Sequence, residues 1–199
     1  MRRLIFVFVC AVVLLGVFCA GWCQTNPSQT VDMTAQIQSE NSISVSIQKV
    51  VGSVWTTASS VDFGALSFDP TNNIFTAGCY YSVDVGVNSN AANWTVTHTI
   101  NKNIALTTDA TKTLNDNINV TFVKHSDSLT PVTLGKYSLT KSNNKVYSKA
   151  NIGASSGYWL RIYYGIATGT DDGDGAVPVT SEKPAGTYSG QIKVTLTAN

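Results

Sequence analysis

Three carboxylates crowd into the stretch "TDDGDGAV", where Asp171, Asp172 and Asp174 fall within four residues among glycines that let a backbone bend around a cation. Oxygen-rich loops of this kind suit calcium. The spacing is not that of the twelve-residue calcium loop, and no glutamate closes it. Two Asp-Gly steps are equally the chemistry of a solvated turn, so a calcium site and an ion-free turn both stand as expectations.

Trp159, Arg161 and Tyr163 form a second constellation. Alternate residues of a strand project from one face. An arginine between two aromatics there suits a glycan or a partner surface, or else a cross-strand cluster that only stabilises its sheet.

Acid–base chemistry is thinly supplied, because the chain holds two histidines. His98 shares a face with Trp94, Val96 and Ile100, and reads as a core-edge histidine with one nitrogen bonded to backbone. His125, in "KHSDS", lies too close to Ser126 and Asp127 for a nucleophilic triad on one strand, and no nucleophile elbow occurs. The expectation is a protein that is not an enzyme. "NWT" at Asn93 and "NVT" at Asn119 match the glycosylation acceptor pattern, a tripeptide common in a chain rich in Asn and Thr.

The compartment follows from the first residues. Arg2 and Arg3 precede an apolar run from Leu4 to Phe18, then small residues, then polar sequence, which is the pattern of a secretory signal peptide over residues 1–23. Cleavage fits after Gly21 or after Cys23. Left uncut, the run approaches the roughly 18 to 20 apolar residues that span a bilayer, and the membrane would be met only through this segment. The expected location is secreted or cell-surface.

Of the 13 Lys and Arg, Arg2 and Arg3 leave with the leader, against 12 Asp and Glu. The mature chain is therefore close to neutral, and no electrostatic case for nucleic acid survives. Cys10 and Cys19 also leave, so Cys79 pairs at most with Cys23, and a cysteine metal site is excluded. Without Cys23, Cys79 reads as a small buried apolar residue in preference to an intermolecular or reactive thiol.

Period-two alternation runs through the rest, residues 24–199, which are expected to form a single domain. "VDMTAQIQ" and "ISVSI" each carry an apolar row, the second made of Ile43, Val45 and Ile47. "VDFGALSF" aligns Val61, Phe63 and Ala65, with Gly64 at a bulge. "YYSVDVGV" and "WTVTHTI", joined by the turn-rich "NSNAAN", read as a hairpin. In "YWLRIYYGIA" Leu160, Ile162, Tyr164 and Ile166 alternate with the Trp159 row, and Ile192, Val194 and Leu196 mark the last strand. Roughly eight to ten short strands predict an all-β antiparallel sandwich.

"VDMTAQIQ" with "ISVSI", "VDFGALSF", "YSVDVGVNSNAANWTVT" and the closing "PAGTYSGQIKVTLT" together resemble secreted bacterial fimbrial-subunit-like and spore-coat-U-like β-sandwich surface proteins. The resemblance covers most of the chain after the leader. No cysteine lies between Gln24 and Gly78, where the spore-coat-U group usually carries a disulfide. The resemblance implies a non-enzymatic subunit of Ig-like topology, a pilus or fibre component assembling by strand donation between neighbours.

Edge physics leads to the same expectation separately. An edge strand presents unpaired N–H and C=O groups to any incoming strand. A strand at 30–38 would pair either with its own sheet or, as a donor burying Val31, Met33 and Ile37, with a neighbour's open edge, with the strand of Ile192, Val194 and Leu196 as the acceptor. Self-association or other surface subunits are the expected partners and no cofactor is required. The competing expectation is a monomeric adhesin or carbohydrate- or calcium-binding module, using the Trp159–Arg161–Tyr163 face or the Asp171 loop.

Overall fold

The computed structural model describes residues 34–36 and 38–198. The leader and the three apolar donor positions, Val31, Met33 and Ile37, lie outside the described residues; residues 34–36 and 38–40 are exposed and in no strand.

Twelve strands lie among the described residues. The wider sheet has six: β2 (Val54–Ala58), β1 (Asn41–Val51), β5 (Tyr80–Ser89), β11 (Trp159–Ile166), β8 (Ile118–His125) and β9 (Val132–Ser138), in that spatial order. The narrower sheet is three strands across, β10 (Lys145–Ser148), β6 (Trp94–Leu106) and β12 (Tyr188–Ala198), with β7 (Asp109–Thr113) pairing the far end of β6. A small ribbon joins β3 (Ser67–Asp69) to β4 (Ile74–Thr76). Every pairing between these strands is antiparallel.

Each sheet has one apolar face, and the two faces bury each other. Val83, Val85, Val120, Phe122, Leu160, Ile162 and Tyr164 from the wider sheet pack with Trp94, Val96 and Tyr147 from the narrower one. The fold is therefore an all-β antiparallel sandwich. Strand β11 carries its expected alternation in full, with Leu160, Ile162, Tyr164 and Ile166 buried and Trp159, Arg161 and Tyr163 on the opposite face.

Two local expectations are corrected. The segments expected as a hairpin, β5 and β6, lie in different sheets: β5 bonds β1 and β11, while β6 bonds β10 and β12. The "NSNAAN" turn thus carries the chain across the core. "VDFGALSF" is a strand only from Ser67; before that it bends at Gly64, whose φ is 65° and whose N–H donates to Asp62 Oδ1. There Phe63 meets Tyr81 edge-on at 5.7 Å, and the Tyr81 hydroxyl donates to the Asp62 carbonyl.

His98 lies deeper than a core-edge residue. It is 1% exposed, at the meeting of both sheets. Its Nδ1 lies 3.1 Å from the Ser142 carbonyl, which can only accept, so Nδ1 carries the hydrogen. Nε2 then accepts from the Tyr164 hydroxyl of β11 at 2.9 Å. The Ser142 carbonyl is presented by the short helical turn Leu139–Ser142, capped by the Ser138 side chain. Phe122 stacks edge-on against the imidazole at 5.2 Å.

Burial pushes the His98 imidazole down to about 4, from an ordinary value near 6.5. The unfolded chain thus binds a proton that the folded one refuses between those values. The resulting stability is complete above about pH 6.5 and disappears as pH falls toward 4, a loss of roughly 3 kcal/mol. Replacing both partners, H98F with Y164F, removes this titration and leaves only the Ser142 carbonyl unpaired. Urea unfolding at pH 7 and pH 4.5 is expected to show the double variant losing about 2–3 kcal/mol less than wild type over that interval; equal losses would clear His98 of the effect.

Candidate functional site: an open strand edge and an aromatic sheet face

Strand β12 bonds β6 along its length, with Ile192 opposite Ile100, Val194 opposite His98 and Leu196 opposite Val96. On its other side it has no strand partner among the described residues. At eleven residues it is far longer than the other edges, the five of β2, seven of β9 and four of β10. Beyond an irregularity at Ser189–Ile192 its pairing is regular to Ala198. Short, bulged or heavily charged edges resist an incoming strand; this stretch carries one charge, Lys193. Ile192, Val194 and Leu196 turn toward the core but are only partly buried.

Across the sandwich from β12 runs β1. Its Ile43, Val45 and Ile47 stand opposite Val87, Val85 and Val83 of β5 and share their core-directed face. Val85 is 1% exposed, yet Val45 beside it is 51% exposed. A core-directed valine half open to solvent marks an apolar surface that the narrower sheet does not reach.

The outward face of the wider sheet is differently built. Arg161 forks onto Asp84, its cross-strand neighbour on β5, with Nε and Nη2 at 2.5 and 2.7 Å from the two carboxylate oxygens. Its Nη1 donates to His125 Nε2 at 2.6 Å. Arginine cannot accept, so His125 is neutral with its hydrogen on Nδ1. Burial and then the Arg161 charge hold its pKa below the ordinary histidine value. His125 stacks on Trp159 at 5.1 Å, and Arg161 lies over Trp55 at 5.4 Å. Trp55, Tyr80 and Tyr163 continue as an edge-to-face row at 6.5 and 6.0 Å.

The structure thus places Trp159, Arg161 and Tyr163 on one face, but Arg161 is held by Asp84 and His125 and is not free for a ligand. Among the described residues four buried polar side-chain atoms lack a partner, and three of them, Ser82 Oγ, His125 Nδ1 and Trp159 Nε1, belong to this face.

The acidic loop departs from the calcium expectation. Asp174 pairs with Lys141 at 3.0 Å. Asp172 accepts the backbone N–H groups of Thr168 and Gly169 and lies against Asn119. Asp171 sits at a positive φ of 53°. The carboxylates serve separate neighbours instead of converging, and no cluster of three or more metal-binding side chains occurs among the described residues. Cys79 is a free thiol, partly buried against the core.

Asp84, Trp55 and Tyr80 escaped the sequence reading, which named Val45 in the apolar row of β1 but not its exposure. For Asp84 a signal was present: it is the one acid in the apolar alternation "YYSVDVGV", and Arg161 is the one arginine outside the leader. No family model, curated protein or solved structure matches the chain, so its role has to be read from these surfaces.

Neither side chain of the Arg161–Asp84 pair is more than a quarter exposed, at 12% and 23%, and removing one leaves the other charge poorly solvated. D84N is expected to cost about 2 kcal/mol, and a D84L/R161M double variant less than the sum of the two single changes. A urea-unfolding mutant cycle with a coupling below about 0.5 kcal/mol would mean the pair is incidental.

Proposed function

We propose that this chain is a non-enzymatic, exported surface subunit that assembles into a pilus or fibre by β-strand complementation. Segment 30–38 of one copy lies beside β12 of the next. The observation that carries the reading is Val45, core-directed and 51% exposed, across from the open edge of β12. A strand added there would widen the narrower sheet over β1. It would gain main-chain hydrogen bonds from β12 and cover Ile43, Val45, Val194 and Leu196 with one apolar row. Val31, Met33 and Ile37 have the alternation such a row requires.

Chain direction favours donation between copies. Asn90, in the turn between β5 and β6, holds residues 38–40 by three hydrogen bonds: its N–H to the Glu40 carbonyl, the Glu40 N–H to its Oδ1, and its Nδ2 to the Gln38 carbonyl. Strand β12 ends at this same end of the sandwich, with Ala198 opposite Trp94. A segment folding back into its own groove would therefore run parallel to β12, while a neighbour's segment is free to run antiparallel, the slightly stronger pairing. One such contact repeated head to tail gives a filament.

Neither histidine is presented to a substrate, since both nitrogens of His98 are bonded within the core and His125 Nε2 is held by Arg161. That supports the non-enzymatic reading.

Deleting residues 24–38 behind the leader is expected to abolish multimers in size-exclusion chromatography. A synthetic peptide of residues 29–38 should bind the shortened chain and raise its melting temperature by several degrees, and the same peptide carrying M33D should not. Multimers that persist after the deletion would refute strand donation, as would equal binding of both peptides.

A further inference from the structure

Beside the aromatic row, the outward face of the wider sheet holds a trough of about 430 Å³. Its chemistry follows from strand register. One level of the sheet sets Ser82, Tyr163, Thr121 and Lys136 side by side; the next sets Gly165 beside Asn119. Gly165 has no side chain, so the sheet surface is indented between Tyr80, Tyr163, Asn119 and Thr121, and Thr133 and Lys136 close the trough on the β9 side.

Tyr80 is 38% exposed and meets Tyr163 edge to face, 64° between planes. In that arrangement the ring offering its edge keeps both faces clear of the other. Ring faces bordered by threonine hydroxyls match a pyranose, which presents apolar C–H faces and a rim of hydroxyls. A peptide recognised through its main chain needs an open sheet edge; here β5, β11 and β8 are each paired on both sides, and the outer edge of β9 is bonded at Lys136 and Ser138 by the Asp174 backbone.

The trough's own lining carries one charge, while Asp172, which touches the lining Asn119, is also taken up by the Thr168 and Gly169 N–H groups. Lys136 is the only ionic side chain lining it and forms no ion pair among the described residues. The neighbouring Arg161 is neutralised by Asp84. A lone ammonium beside a low-polarity aromatic wall favours an anionic group. The geometry points to an acidic oligosaccharide as the ligand of this trough, with two sugar rings over Gly165 between Tyr80 and Tyr163 and a carboxylate at Lys136. This site does not depend on strand donation, which uses the opposite side of the sheet.

The test uses the full chain, expressed with its leader and purified after export, and titrated with trigalacturonate, a hyaluronan tetrasaccharide and their neutral methyl esters. Calorimetry is expected to show at least one acidic oligosaccharide binding at least tenfold more tightly than its ester, with amide NMR shifts at Thr121, Lys136 and Tyr163. G165V should remove binding, and K136M should lower the affinity for the acid to that for the ester. G165V is chosen because a Cβ at this position meets only the Tyr80 Cβ, at 3.8 Å, on ordinary strand backbone; its far-ultraviolet spectrum and multimer profile should equal wild type. Failure of both acids to bind, equal affinity for acid and ester, or unchanged binding by folded G165V would each overturn the assignment.

Discussion

Six strands cannot be covered by a facing sheet three strands across, and the imidazole of His98 determines which part is left bare. His98 projects from β6, the middle strand of the narrower sheet, and accepts a hydrogen bond from Tyr164 of β11 while Phe122 of β8 packs against its ring. Apolar contact is non-directional and would tolerate lateral sliding of one sheet over the other. A buried hydrogen bond with both partners shut away from water does not, because breaking it strands two polar groups in the core. The narrower sheet is thereby anchored over β11 and β8, and the deficit falls at the other side, on β1.

That placement explains an otherwise awkward pattern along β1. Ile43, Val45 and Ile47 keep the alternation of core residues and stand opposite buried or half-buried valines of β5, yet Val45 remains half exposed. The loop after β2 covers one end of this surface, where Phe63 packs against Tyr81. Nothing comparable covers the end near Val45 among the described residues. A half-exposed, core-directed valine facing a long, regular, lightly charged edge is what protein surfaces generally avoid.

Much of this was legible in the sequence because period two identifies residues that share a face. It separated Leu160, Ile162, Tyr164 and Ile166 from Trp159, Arg161 and Tyr163, and it put His98 with Trp94 and Val96. Period two does not say which strand lies next door. Hence β5 and β6, adjacent in the chain, read as a hairpin although they belong to opposite sheets. The exposure of Val45 was equally hidden, since it depends on how many strands face β1. The fate of the acidic loop turned on partners 33 and 53 residues away, Lys141 and Asn119, and local spacing carries no information about those. Extra strands such as β3, β4 and β10 are three or four residues long, too short for alternation to register.

On the proposed reading the two faces of the wider sheet would serve separate tasks. A strand laid beside β12 extends the narrower sheet and covers the inner side of β1, leaving the outward side of β5, β11, β8 and β9 untouched. The Arg161–Asp84 fork lies on that outward side and ties β11 to β5, with Trp55, Tyr80 and Tyr163 beside it. Because β11 also carries Tyr164 on its inner side, the same strand bears the bond that sets sheet registry and the aromatic that borders the outward trough. A surface held in this way loses little entropy when it takes up a ligand, and in an assembled fibre it would recur on every copy, so that weak individual contacts add through multivalency.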